Sequence, residues 1–154
     1  KFYDFSVFAS FLLEQSRADD KVAIYGWQVR PAYPLLLQLL RRPSKFLYLY
    51  PFMVFKHGDP EGTEEQKAKL AAMQKQTYQI IEDELTGKNP PQLLLIEDGD
   101  IRQWFNESGL MEKISNRYEL LQGVSPTNSD EVDRHPPFEY LAYRNPFAVY
   151  KLVR

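Results

Sequence analysis

The chain has 154 residues, 44% of them hydrophobic and 26% charged, with a net charge of −2. That length suits one domain and buries enough surface to hold a core without staples. The near-neutral charge, with no basic cluster beyond Arg41–Arg42, argues against a nucleic-acid partner. The absence of cysteine excludes a disulfide scaffold, a thiolate nucleophile and a Cys-ligated metal.

In chain order, residues 1–17 read as an N-terminal helix, with Phe5, Phe8, Phe11 and Leu12 at amphipathic spacing over 4–17. The chain starts at Lys1 without methionine, and Phe2, Tyr3, Phe5, Val7 and Phe8 crowd its opening. That pattern suits a piece cut from a longer chain close to a membrane segment; a removed tag explains Lys1 equally well. Residues 21–27 are a buried strand by length and β-branched content, and Pro31 sits at the first turn of a helix over 33–41 that Pro43 stops. Residues 45–50 form a second strand closed by Pro51, and 56–62 are loop.

Thr63 and Gln66 make a capping box, and Gly87 ends the long helix it opens. Leu70, Met73, Ile80, Ile81 and Leu85 form one apolar stripe of that helix, while Lys75, Gln76, Gln79, Glu82 and Asp83 face away. The run "QLLLIED" then reads as a strand buried on both faces. Asp100 is placed to cap a helix carrying Ile101, Trp104 and Phe105, which Gly109 breaks. A further turn and a fourth strand near 118–122 follow. The segment 123–137, ending in "SPTNSDEVDRHPP", is a polar loop. Two strands about Asn145–Pro146 then form an antiparallel hairpin over 138–153 on the sheet edge.

Helix and strand alternate, which predicts parallel pairing with right-handed crossovers. The expected fold is α/β: a single three-layer, Rossmann-like domain over 1–154, mostly parallel, ending in the antiparallel hairpin. No apolar run approaches the roughly 20 residues of a membrane-spanning helix.

No motif supplies a reactive centre. Gly26 stands alone after the first strand and is followed by Trp27, too little glycine for a dinucleotide or phosphate loop. Candidate ligand-binding residues are Arg30 and Tyr33 after the first strand and Glu97, Asp98 and Asp100 after the third, because open α/β sheets receive ligands beyond the carboxyl ends of their strands. The acidic trio has the chemistry to hold Mg²⁺ or to exchange protons, but a helix cap and a solvated turn explain it more cheaply. Arg30 has a similar plain reading, bonding loop carbonyls or a neighbouring carboxylate. His57 and His135 lie in loops without companions, and Ser125 and Ser129 sit in the polar segment, with no glycine-flanked nucleophile. Trp27, Trp104 and Phe105 read as core. The pattern assigns no catalytic residue, metal or cofactor.

Residues 20–27 ("DKVAIYGW"), 42–46 ("RPSKF") and 90–96 ("PPQLLLI"), together with the order of elements, give the chain its family likeness. It resembles the C-terminal soluble domain of bacterial GT-C type membrane glycosyltransferases, relatives of the dolichyl-phosphate-mannose–protein mannosyltransferases. The resemblance implies a periplasmic accessory domain of an enzyme that transfers a sugar from a polyprenyl-phosphate carrier. The catalytic acid of such enzymes lies between early membrane helices, outside this sequence. The implied partners are the membrane-embedded portion of the same polypeptide and an acceptor substrate. Two other readings stay open: a stand-alone enzyme or ligand-binding domain using Arg30 and the acidic trio, and a protein-interaction module using the 123–137 loop and the hairpin.

Overall fold

A computed structural model describes residues 6–26, 32–45, 62–121 and 146–153. The first helix, α1 (Ser6–Gln15), drops Phe8 and Leu12 into the core one turn apart, so a single stripe is buried. Past α1, Ser16 Oγ donates to the Leu12 carbonyl at 2.5 Å, and Asp19 takes a left-handed conformation (φ 65°) that reverses the chain into β1 (Lys21–Tyr25). Along β1, Val22 and Ile24 face one side of the sheet and Ala23 and Tyr25 the other, the period-two alternation of a strand covered on both faces.

The next helix, α2 (Ala32–Gln38), is shorter than its sequence predicts. Proline does not end it. Leu40 enters the left-handed region (φ 58°), and Arg41 N–H closes the turn on the Leu36 carbonyl at 2.8 Å. Arg41 is buried, its Nη1 donating to Leu39 O, its Nε to Ser16 Oγ at 2.9 Å and its Nη2 to Ser16 O at 2.6 Å. One guanidinium thus joins the negative ends of α1 and α2. Strand β2 (Arg42–Pro43) follows at once; the strand expected over 45–50 lies almost wholly outside the described residues.

Helix α3 (Glu64–Thr86) opens with the expected capping box: Thr63 Oγ1 accepts from Gln66 N–H at 3.2 Å, and Gln66 Oε1 accepts from Thr63 N–H at 2.8 Å. The expected stripe is buried only in its second half. Ile81 and Leu85 are fully covered, whereas Met73 is 42% exposed. Gly87 ends the helix through close approach, not a left-handed turn: its φ is −71°, and a Cβ there would meet the Asp83 carbonyl at 2.5 Å. Arg117 binds the freed carbonyls, Nη1 to Leu85 O at 2.8 Å and Nη2 to Gly87 O at 2.9 Å.

Every residue of β3 (Leu93–Glu97) is buried, as its unbroken apolar run requires. Then come α4 (Asp100–Glu107), α5 (Leu110–Ile114), β4 (Tyr118–Leu120) and β5 (Phe147–Leu152). The sheet is mixed, in the order β2-β1-β3-β5-β4, with β1 parallel to β2 and β3, and β5 antiparallel to β3 and β4. Val22, Ile24, Leu93, Leu95, Phe147 and Val149 pack against α1 and α2 on one face. Ala23, Tyr25, Leu94, Ile96 and Ala148 pack against α3, α4 and α5 on the other.

The C-terminal strand is antiparallel, as expected, but it does not lie on the sheet edge. It is inserted between β3 and β4, with five register pairs to β3 from Leu93↔Lys151 to Glu97↔Phe147. Its first four residues, Phe147 to Tyr150, are all buried, as both faces of the strand are covered. The expected first arm of the hairpin, in 138–144, lies outside the described residues, as does the 123–137 loop.

Candidate functional site

The carboxyl ends of β1 and β3 are adjacent, Tyr25 standing opposite Ile96 in the parallel register. From this shared edge the chain departs both ways: after β1 it reaches α2 on one face, and after β3 it reaches α4 on the other. Such a shared carboxyl edge, with its two following helices on opposite faces, is the place where α/β sheets receive ligands. Of the five candidate residues, Glu97, Asp98 and Asp100 are at this edge. Tyr33 falls in the first turn of α2, its side chain outside the description, and Arg30 lies outside the described residues.

The three carboxylates fall within four consecutive positions yet differ in setting. Glu97 ends β3 and is 3% exposed, opposite Phe147 of β5. Asp98 is held twice: its N–H donates to the Pro146 carbonyl at 2.9 Å, and its Oδ1 accepts from Arg102 Nη1 at 2.8 Å. That pair spans one turn into α4, the i,i+4 spacing at which helical neighbours meet. Arg102 Nη2 also donates to the Tyr150 hydroxyl at 3.5 Å. Burial pulls the Arg102 pKa down, but its bonds to Asp98 and Tyr150 outweigh this and raise it, so the guanidinium is a fixed charge.

Asp100 is not the helix cap. It is the first residue of α4, exposed, and the cap is Gly99, which offers no side-chain hydrogen bond. The reason is backbone conformation. The turn out of β3 needs φ 100° with ψ −135° at position 99, a combination essentially restricted to glycine. Asp100 then contributes its charge to the positive end of the helix. Among the described residues no three His, Cys, Asp or Glu come together as a metal-binding group.

Two polar features escaped sequence reasoning. Arg102 was legible in principle from the Asp98–Arg102 spacing. The second is a buried cluster under the α3 face. Glu84, with a side chain 2% exposed, lies 3.5 Å from Lys21 Nζ and accepts from Lys45 N–H at 3.2 Å. Close by is Tyr25, whose hydroxyl is buried without a hydrogen bond. Tyr118 is buried too, but its hydroxyl donates to the Pro91 carbonyl at 2.7 Å. Burial is the main cause that raises the pKa of both phenols, and the Glu84 carboxylate adds to it; Ser44 partly offsets the rise at Tyr25, and Arg117 that at Tyr118. No sequence signal marks this cluster, because its members lie on β1, α3 and β4.

The remaining sequence candidates divide simply. Trp104 is half-buried and packs edge-on to Phe105 at 5.2 Å and to Tyr78 at 6.3 Å, the core role expected of it. Trp27, His57, Ser125, Ser129 and His135 lie outside the described residues. No protein family, curated protein or solved structure matches this chain.

Proposed function

We propose that this chain is the soluble accessory domain of an integral-membrane glycosyltransferase that transfers a sugar from a polyprenyl-phosphate carrier. The domain stands at the periplasmic face, and the catalytic residues belong to the membrane-embedded part of the same polypeptide. The reading comes from the three stretches that carry the family likeness. The observation that supports it is their arrangement: their described parts form β1, β2 and β3, three adjacent parallel strands, so the likeness falls on one contiguous piece of sheet. The same strand run supports a Rossmann-like layout for the domain. Helix α1 packs Phe8 and Leu12 onto this sheet, a position from which it can continue a preceding membrane segment into the domain. Among the described residues no helix is long and apolar enough to cross a membrane.

The experiment is to read the coding sequence upstream and to fractionate cells expressing the complete product with a tag beside Arg154. The expected result is a run of apolar segments of about 20 residues each, with the tag in the membrane fraction and digested by protease added to spheroplasts. A short reading frame beginning near Lys1 with a product free of the membrane overturns the proposal.

The carboxyl edge of β1 and β3 favours a second reading, a ligand-binding or enzymatic domain, because Glu97, Asp98 and Asp100 stand where the helices after the two strands go to opposite faces. Under that reading, nucleotides with Mg²⁺ give a calorimetric signal that Asp98→Asn weakens. Absence of such a signal leaves the accessory domain as the better account.

A further inference from the structure

At the opposite end of the parallel strands, a half-open groove of about 490 Å³ lies between the last turn of α1 and the far ends of β4 and β5. Small-molecule sites occupy about 300–1,000 Å³. Its walls carry the carboxylates of Glu14, Asp20 and Glu119 and the cations of Arg17 and Lys151. Two of the neutral polar walls are engaged with the fold: Ser16 Oγ donates to Leu12 O at 2.5 Å, and Gln92 Oε1 accepts from Lys21 N–H at 2.7 Å.

The charged walls are arranged differently. Asp20 Oδ2 accepts from the main-chain N–H of Arg17 at 2.8 Å. Among the described residues, the charged ends of Glu14, Arg17, Glu119 and Lys151 enter no ion pair and no hydrogen bond. Glu119 and Lys151 stand directly opposite each other on β4 and β5, where opposite charges ordinarily pair, yet they form no bridge. Asp20 apart, the groove therefore presents both signs of charge, unspent, to one small volume.

We propose that this groove binds a small zwitterion of the amino-acid type. Arg17 and Lys151 receive its carboxylate, and Asp20, Glu119 and Glu14 receive its ammonium groups. A simple anion meets three carboxylates here and a simple cation meets two positive side chains, so neither alone is matched. The extra carboxylate favours a ligand with a second amine. Because the charges are partly hydrated and screened, affinity falls near about 1 mM. The proposal rests on the groove and is independent of the glycosyltransferase reading.

The test is a two-dimensional amide NMR titration of the 154-residue chain with L-lysine. Acetate and n-butylamine serve as its single-charge halves. The expected result is saturable shifts at Arg17, Asp20, Lys151 and Val153 with L-lysine, and weaker, non-saturating shifts with either half. Lys151→Ala and Glu119→Ala should each weaken binding about tenfold, the effect of one charge-assisted contact, with the melting temperature unchanged. The proposal fails if L-lysine gives no saturable shift into the tens of millimolar, if one half binds as well as the whole, or if both variants bind like the parent.

Discussion

The two buried tyrosines separate what burial does from what a hydrogen bond does. Tyr118 has an acceptor in Pro91 O, whereas the Tyr25 hydroxyl is sealed in without one. Removing the Tyr25 oxygen takes away a desolvated group at the cost only of its weak interaction with the Ser44 side chain. Tyr25→Phe is therefore expected to be neutral or to stabilise by about 1 kcal/mol, while Tyr118→Phe costs about 1 kcal/mol, as read from urea unfolding. The same burial sets a pH dependence. Both phenols have raised pKa values in the folded chain, so they keep their protons where the unfolded chain loses them. Their contribution to stability is constant below the unfolded value, about 10, and falls as pH rises beyond it. The slope should approach about 1.4 kcal/mol per pH unit for each phenol. Unfolding free energies from pH 9 to above 11 check this, and each Phe variant should remove about half of the slope.

Among elements, the end of α3 is the joint on which the second face depends. Gly87 lets the chain fold back over the Asp83 carbonyl, and Arg117, just before β4, binds the last carbonyls of the helix. Helix and sheet edge are thereby tied by a charge-assisted pair of bonds. Gly87→Ala forces its Cβ to within 2.5 Å of a backbone oxygen and is expected to cost about 1–3 kcal/mol. Arg117→Ala should cost about 1.5–3 kcal/mol, since it strips a cation from two carbonyls; Arg117→Lys should recover only part, because an ammonium group lacks the fork. Denaturant midpoints of the three variants check both. Nearby, Lys113 Nζ donates to Glu82 at 2.6 Å and to Tyr78 OH at 3.0 Å; it is too exposed to carry comparable weight.

At the scale of the molecule, the decisive feature is the position of β5. The last strand of the chain fills the gap between β3 and β4, and its Phe147 stacks on Phe8 of the first helix at a centroid distance of 6.1 Å. The first described helix and the last described strand thus meet in one core. A chain ending at residue 121 leaves β3 and β4 without their common partner and should show no cooperative thermal transition by circular dichroism. Phe147→Ala in the full chain, which keeps the strand but empties its ring site, should cost about 3–5 kcal/mol. A truncated chain that still unfolds cooperatively would show β5 to be dispensable.

Local physics is legible in the sequence itself. The Thr63–Gln66 box, the buried character of 93–97 and the apolar stripe of α1 are each set by neighbours within a few positions, where backbone periodicity and capping are decided. The core role of Trp104 was legible for the same reason. Tertiary structure alone decided the rest. It placed β5 inside the sheet, moved the cap of α4 from Asp100 to Gly99, and assembled Tyr25, Glu84 and Tyr118 from three elements. It also split the acidic trio into a buried residue, an arginine partner and an exposed first-turn charge. Strand order and buried polar contacts are long-range matters: an alternating strand pattern reports that both faces are covered, but not which neighbour covers them.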